Sequence, residues 1–203
     1  MARKAAEKSE TSIELLEAAK EVLRQNGYAK LSTRQVAATA NVPLSQIHYH
    51  FGSKQGMVLA LFEYLNAQLL DRQDAMFDDP EMTLSEKWDR ACDYLDEDIA
   101  SGYVRILQEL IAAGFADAKV ARVVRNAIMG WVTLLADMAR EAEKRFGRPA
   151  GFTPDEIAAL VANAFIGAEA LYLLRFEGKR VPIRQSLRRF GDVIRLAERS
   201  RKK

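Results

Sequence analysis

The side chains with the clearest chemistry lie between residues 32 and 54, and their types suit contact with DNA. Hydroxyl, amide, imidazole, phenol and cationic groups bond phosphate oxygens or base edges, and aliphatic groups touch thymine methyls. The candidate DNA-binding residues are Ser32, Thr33, Arg34, Leu44, Ser45, Gln46, His48, Tyr49, His50 and Lys54. Both histidines of the chain are among them, without a cysteine or an acid close by in sequence. Residues two apart on a helix face different ways, so we predict no metal site. We also predict no catalytic site, because the only histidines of the chain lie in this segment.

Two short helices joined by a tight turn are predicted to position these groups. Ser32 and Gln35 have the spacing of a capping box at the start of the first helix. Asn41 suits a left-handed turn, and Pro43 suits the first turn of the second helix, where its missing N–H needs no partner. The second helix is short and polar, with Ile47 as its apolar anchor. Such a helix gains little from packing, and a helix-turn-helix inserts one like it into the DNA major groove.

Residues 11–60 resemble the TetR family of transcriptional regulators. The family pattern corresponds here to Asn26-Gly27-Tyr28, Leu31-Ser32-Thr33, Ala40-Asn41-Val42 and Ile47-His48-Tyr49-His50-Phe51-Gly52-Ser53-Lys54. Three positions depart from it. Asn41 stands where glycine is usual, His48 where tyrosine is usual, and Gly56 where a helix-forming residue is usual. Glycine inside a helix is expected to weaken that helix by about 1 kcal/mol.

The candidate residues divide into two groups by the part of DNA that each would contact. Ser32 and Thr33 begin a helix, where hydroxyls and backbone N–H groups suit a phosphate, although capping alone also explains Ser32. The resemblance implies phosphate contacts for Tyr49 and His50, and Lys54 suits a phosphate better than the helix dipole at its own position. The predicted base-reading residues are Leu44, Ser45 and Gln46. His48 suits either role.

The whole chain is predicted to be all-α, with about nine helices. An N-terminal three-helix helix-turn-helix domain over residues 1–55 precedes a C-terminal helical ligand-binding and dimerisation domain over residues 56–203. The first helix is predicted from Thr11 to Asn26, after a flexible arm. Thr153-Pro154-Asp155-Glu156 has the features of a helix start, and this eighth helix is predicted to reach Glu177, closed by Gly178.

Composition narrows the classes of protein that this chain can be. Its 203 residues are 49% hydrophobic, which fits a helical globular protein. The net charge is only +2, so the chain as a whole is not a polycation that would bind DNA by charge alone.

The charges are unevenly distributed along the chain. Acids outnumber bases thirteen to four between Glu63 and Glu109, and bases outnumber acids eleven to three from Arg175 to Lys203. The basic end is either a second DNA-facing patch or a solvated helix face. Cys92 is the single cysteine, and no apolar run of bilayer length is apparent, so we expect a cytoplasmic protein without membrane contact.

The predicted eighth helix is apolar over most of its circumference and needs partners on more than one side. Small residues at Ala164, Gly167 and Ala168 would let a second helix approach closely. The resemblance implies a homodimer through helices eight and nine. The alternative is that this helix is simply central to its own domain.

A small-molecule effector is expected by analogy with the family. Ligand pockets are mostly apolar with a few polar groups. The candidate pocket residues are Trp88, Tyr94, Tyr103, Asn126, Trp131, Asn163 and Tyr172. Ordinary core or dimer packing is the alternative for each of them, and no cofactor is predicted.

The leading hypothesis is a DNA-binding transcriptional regulator, a repressor that binds a palindromic operator as a dimer and is released by a small apolar effector. Activation of transcription, which some family members perform, remains an open alternative. A constitutive or architectural DNA-binding protein is one alternative, against which the small net charge argues. An all-α enzyme is the other, but no glycine-rich phosphate loop and no spaced aspartate-rich metal motif is present.

Overall fold

The computed structural model describes residues 2–148, 151–176 and 178–200. Within these ranges the chain is all-α, as predicted, with nine α-helices and a short 3-10 turn at Tyr28–Lys30. The helices are α1 (Ala2–Asn26), α2 (Thr33–Thr39), α3 (Leu44–Phe51), α4 (Lys54–Phe77), α5 (Leu84–Ser101), α6 (Tyr103–Gly114), α7 (Ala118–Phe146), α8 (Pro154–Leu173) and α9 (Ile183–Ser200).

Backbone contacts divide the chain into two compact units. Unit 1 comprises Met1–Gln68 with Asp98–Val124, and unit 2 comprises Leu69–Glu97 with Arg125–Lys203. Unit 1 therefore contains α6 in addition to the helix-turn-helix segment, whereas the sequence-based division at residues 55 and 56 followed local pattern alone. Both α4 and α7 are continuous helices that begin in unit 1 and end in unit 2.

Unit 1 is built around the packing of α1, α2 and α3. Its most deeply buried side chains in this region are Leu15, Ala19, Val22, Leu23, Leu31, Val36 and Ile47. The start of α1 differs from the prediction, because the helix begins at Ala2 rather than at Thr11. The predicted arm is therefore helical from Ala2 onwards, and Met1 lies outside the described residues.

The turns of the helix-turn-helix segment form as the sequence predicts. The Ser32 hydroxyl oxygen accepts the backbone N–H of Gln35 at 3.3 Å and caps α2. Asn41 has a φ of 54°, so it occupies the left-handed region that its amide side chain tolerates. Ser53 caps the start of α4 by accepting the N–H of Gly56 at 3.0 Å.

Gly56 has a steric role that the sequence pattern did not indicate. A Cβ atom at this position would overlap the backbone oxygen of Phe51, the last residue of α3. Backbone atoms cannot move aside as a flexible side chain can. Glycine at position 56 is therefore required for the close approach between the end of α3 and the first turn of α4.

In unit 2, α8 starts as predicted but ends earlier. Thr153 and Glu156 form a complete capping box with Pro154 in the first turn. The helix stops at Leu173 because Arg175, at a φ of 57°, donates its N–H to Tyr172 O, and the N–H of Phe176 bonds Leu171 O. These two bonds are a Schellman motif, which usually has glycine where Arg175 stands, so Gly178 is not the terminator.

By length and composition α8 could also cross a bilayer. This differs from the expectation that the chain lacks an apolar run of that size. The buried Glu169 in its last turns is a residue type that is rare inside a membrane-spanning helix.

An ionic seam joins α5 to α9 within unit 2. Asp89 pairs with Arg195 at 2.5 Å, Asp93 with Arg188 at 2.7 Å, and Asp96 with Arg184 at 3.2 Å. The Ser85 hydroxyl donates to Glu198 at 2.7 Å at the far end. The acidic middle and the basic end of the sequence therefore partly neutralise each other, and these three arginines are ion-paired in the folded chain rather than free for DNA.

Close backbone packing accompanies this seam. The Trp88 indole N–H donates to the Leu187 backbone oxygen at 2.7 Å, and a Cβ at Gly191 would lie 3.0 Å from the Trp88 ring. Cys92, also on α5, is buried, and burial raises the pKa of its thiol to about 11. The reactive thiolate is therefore scarce at neutral pH, which disfavours a redox role.

The Gly56 contact predicts that alanine at this position destabilises the protein, whereas helix propensity alone predicts that alanine stabilises it. Gly56→Ala should gain up to about 1 kcal/mol in helix propensity but lose more through the clash with Phe51 O. We expect a lower melting temperature and weaker DNA binding. Ala67→Gly, at an exposed position later on α4, is the control that reports propensity alone. A rise in melting temperature for Gly56→Ala would contradict the steric role.

Candidate nucleic-acid interface and ligand cavity

The surface of α3 consists almost entirely of polar side chains around one anchor. Ile47 is fully buried and is the only residue of α3 in the buried class. Leu44 and Tyr49 are 36% and 62% exposed, Ser45 and His48 are exposed, and Gln46 and His50 are half-buried. The helix therefore presents to solvent the side chains whose types were predicted to read DNA.

His48 also supports the end of its own helix. Its Nδ1 lies 3.3 Å from the backbone oxygen of Gly52, the left-handed residue that ends α3. A carbonyl oxygen only accepts, so Nδ1 carries the proton. In the neutral ring Nε2 is then an acceptor, which suits an amino group on a base edge better than a phosphate oxygen.

The remaining candidates lie at the first turns of α2 and α4. Ser32 and Thr33 are half-buried at the start of α2, and Arg34 is exposed beside them. Lys54 is exposed at the start of α4. These positions place hydroxyls, backbone N–H groups and two cations at helix N-termini, where phosphates bind.

Sequence reasoning missed one cation and one electrostatic feature of this segment. No aspartate or glutamate occurs from Val22 to Phe62, although the chain as a whole carries 28 acids. Lys30 lies exposed in the 3-10 turn just before α2. A count of acids along the chain, rather than of net charge, would have identified this positive segment.

A second missed feature ties α4 to α7 within unit 1. The Gln55 side-chain amide donates to the Asp117 carboxylate at 3.0 Å. The same carboxylate accepts the N–H of Lys119 at 2.8 Å and so caps α7. These hydrogen bonds, led by that of Gln55, lower the pKa of Asp117. The two residues are 62 positions apart, so no local pattern could have paired them.

The seven residues predicted for the effector pocket do not form one cluster. Tyr103 lies in unit 1, where it donates to buried Asn66 at 2.8 Å and stacks on Phe62. In unit 2, Asn126 and Asn163 are exposed. The other four make specific contacts: Tyr94 with Arg72 and Arg90, Tyr172 with Arg184, Trp131 with Phe165, and Trp88 with Phe165 and Phe190.

Unit 2 contains an apolar cavity of about 520 Å³ between α5, α7, α8 and α9. Trp88 is the one of those seven residues that lines it. Leu135 and Ala139 of α7 and Ala158 of α8 are buried at its walls, and Glu143 is the only charged lining residue among those described. This volume falls in the range of small-molecule sites.

The outer faces of α8 and α9 carry exposed apolar and small residues. On α8 these are Leu160, Ala164, Gly167 and Leu171, which are spaced to lie along one stripe. On α9 they include Phe190, Val193 and Leu196. A Cβ at Gly167 would meet no atom within 4 Å, so the stripe is open at its centre. Ala168, by contrast, is only 6% exposed and faces the interior of its own unit.

Among the described residues no group of three or more histidine, cysteine, aspartate or glutamate side chains is arranged to hold a metal ion.

Comparison with known proteins agrees with a helix-turn-helix segment at the start of the chain. Residues 15–61 match the family model for bacterial regulatory proteins of the tetR family. The HTH-type transcriptional regulator UidR of Escherichia coli K12 is 24% identical over 141 residues, covering 66% of this chain and 67% of that protein.

Solved structures share the fold over nearly the whole chain. Regulatory protein TetR from Rhodobacter sphaeroides has a TM-score of 0.71 at 20% identity, covering 88% of this chain and 95% of that one. The transcriptional regulator FadR from Bacillus subtilis, solved in complex with stearoyl-CoA, has a TM-score of 0.68 at 15% identity, covering 88% and 96%. The helix-turn-helix segment is therefore similar to bacterial regulatory proteins of the tetR family, and the chain as a whole shares the all-α fold of the solved structures.

Proposed function

We propose that the protein is a repressor that binds a palindromic operator as a homodimer and is released by a small apolar effector. The observation that carries this proposal is α3, a helix with one buried anchor whose other side chains are exposed or half-buried. Two such helices in a symmetric dimer would enter major grooves one helical turn apart, about 34–36 Å. The regulatory names of the relatives support the same function.

Within the interface we assign base reading to the first turn of α3 and phosphate contact to its flanks. Gln46 can bond adenine at two points, and Leu44 can touch a thymine methyl. Tyr49, His50 and Lys54 contact phosphates, as do the hydroxyls and N–H groups at the start of α2. Because His48 offers an acceptor in its neutral state, we assign it to a base amino group.

The division of roles is tested by comparing two substitutions. Gln46→Ala should cost about 1–3 kcal/mol at one operator base pair and relax the preference there. Lys54→Ala should weaken binding to specific and random DNA alike and lower the salt slope by about one. Fluorescence anisotropy on a set of operator variants at several salt concentrations measures both. Identical patterns for the two variants would contradict the assignment.

The homodimer is proposed to form through α8 and α9. The stripe on α8 combines small residues, which allow close approach, with leucines at both ends, and the exposed apolar residues of α9 enlarge this face. An exposed apolar face of this kind marks a protein contact. A subunit interface also accounts for the apolar composition of α8, without a membrane.

Gly167→Arg should prevent dimerisation, because it places a charge at the open centre of the stripe. We expect monomers in sedimentation and a large loss of operator affinity with an unchanged helical spectrum. Ala159→Arg is the matched control, since Ala159 is exposed on α8 about 100° around the helix from Leu160. Wild-type protein that sediments as a monomer at micromolar concentration would rule out the dimer.

Release by an effector requires a connection from unit 2 to the reading helix. Both α4 and α7 run continuously through the two units, and the Gln55–Asp117 hydrogen bond joins their ends in unit 1. Gln55 is three residues after Gly52, which ends α3. We assign to this bond the role of holding α4 and α7 together, so that a shift of either helix moves the reading surface.

Gln55→Ala should weaken this connection while leaving each binding site intact. We expect near-normal operator affinity but a smaller effect of effector on that affinity, and the same reduction in the effect of DNA on effector binding. Gln68→Ala, on the same helix, is a control for loss of a glutamine elsewhere. An effector response unchanged by Gln55→Ala would contradict the assigned role.

Two other functions have less support. A constitutive DNA-binding protein, which responds to no effector, does not explain the apolar cavity in unit 2. The lining of that cavity is almost entirely hydrocarbon, so the cavity gives no support to an enzyme. For a DNA-binding regulator we expect a cytoplasmic location.

A further inference from the structure

We propose that the effector is an uncharged, largely hydrocarbon molecule, and that it binds the cavity between α5, α7, α8 and α9, at the edge of the dimer face. This inference rests on the proposed effector response and adds to it a position, a ligand class and a link to subunit association.

The lining of the cavity determines the ligand class. Aromatic and aliphatic side chains form its walls, among them Trp88, Phe146, Phe190 and Ile194. The indole N–H of Trp88 already donates to Leu187 O, so this wall has no free donor for a ligand. Among the described residues no cation lines the cavity to balance a carboxylate or phosphate, and burying an unpaired charge is costly.

The one acid at the cavity does not create a site for a cation. Glu143 is already ion-paired with Arg148, which lies beyond the cavity lining. A ligand cation would have to replace that arginine. A neutral ligand needs no such exchange, and apolar cavities bind apolar molecules readily.

The shape of the cavity favours a small molecule over the side chains of a second subunit. Its walls include residues that are buried in the folded chain, namely Trp88, Leu135 and Ala158, so it is a depression rather than a flat face. Of the α8 stripe only Leu160 lines it, while Ala164, Gly167 and Leu171 do not. The stripe and the cavity are therefore adjacent and largely separate.

The rim of the cavity connects ligand binding to dimerisation. Leu160, Phe190 and Val193 both line the cavity and are exposed on the α8 and α9 faces. A partner subunit on these faces would cover the rim and remove more of the ligand from water. By linkage, the dimer should bind the ligand more tightly than the monomer, and the ligand should strengthen the dimer by the same factor.

The experiment uses the full-length Trp131→Phe protein, which leaves Trp88 as the single tryptophan, with N-phenyl-1-naphthylamine as the uncharged probe. We expect saturable binding near one probe per subunit and quenching of the Trp88 emission. Ala142→Phe, which fills the cavity from α7, should weaken probe binding at least tenfold. Ala118→Leu, at an exposed α7 position outside the cavity, should leave it unchanged.

If Ala142→Phe does not fold, Val161→Phe fills the same cavity from α8. The ligand class is tested by competition, in which 1-decanol should displace the probe at least tenfold better than decanoate. Equal competition would overturn the assignment of an uncharged ligand. Probe binding that neither filling variant weakens would overturn the position.

Sedimentation with and without saturating probe tests the link to association. The dimer dissociation constant should fall at least fivefold with probe, and no change would overturn the link. If wild-type dimers bind no probe and Ala142→Phe dissociates them, the cavity is filled by the partner subunit and the proposal is wrong.

Operator binding is measured in parallel. A protein that binds DNA but no probe would refute this inference alone. A protein that binds the probe but no DNA would refute the proposed repressor function alone.

Discussion

The burial of Ile47 is the contact on which the proposed DNA-reading surface depends. Isolated helices shorter than about 12–15 residues are marginal in water, and α3 has eight residues. Fully burying one isoleucine contributes about 1.5–3 kcal/mol, which lets a single side chain hold the helix while its neighbours stay available for DNA. The caps and left-handed turns at Asn41 and Gly52 then set where the helix begins and ends.

Features that depend on a few consecutive residues were predictable from the sequence. The Ser32 and Thr153 caps, the left-handed Asn41 and the all-α class follow from local chemistry and are present. The end of α8 at Arg175 was not predictable, because a residue other than glycine occupies the left-handed position. The need for glycine at position 56 was not predictable either, because the steric clash of a Cβ arises only where α3 and α4 pack together.

In unit 2, most features that the sequence could not show depend on contacts between distant segments. An acidic α5 and a basic α9 look like separate surfaces in sequence, yet they pair through Asp93 and Arg188 and their neighbours. Exposed ion pairs contribute little singly, so the Trp88 bond and the close approach at Gly191 are needed to hold α9 in place. The seam positions α9 both as a wall of the cavity and as part of the proposed dimer face. Scattered aromatic residues in the sequence could not identify that cavity, because only the packing shows which of them share a space.

Selection of DNA ligands from a random-sequence library by the purified full-length protein tests whether a symmetric dimer reads DNA through α3. We expect enrichment of one site with two-fold symmetry, whose half-sites lie about one helical turn apart from centre to centre. Enrichment should be lost with a variant of the reading helix, Gln46→Ala combined with Ser45→Ala, which leaves Ile47 in place. A library that stays random after repeated selection, with equal affinity for all sequences, would contradict sequence-specific binding by α3.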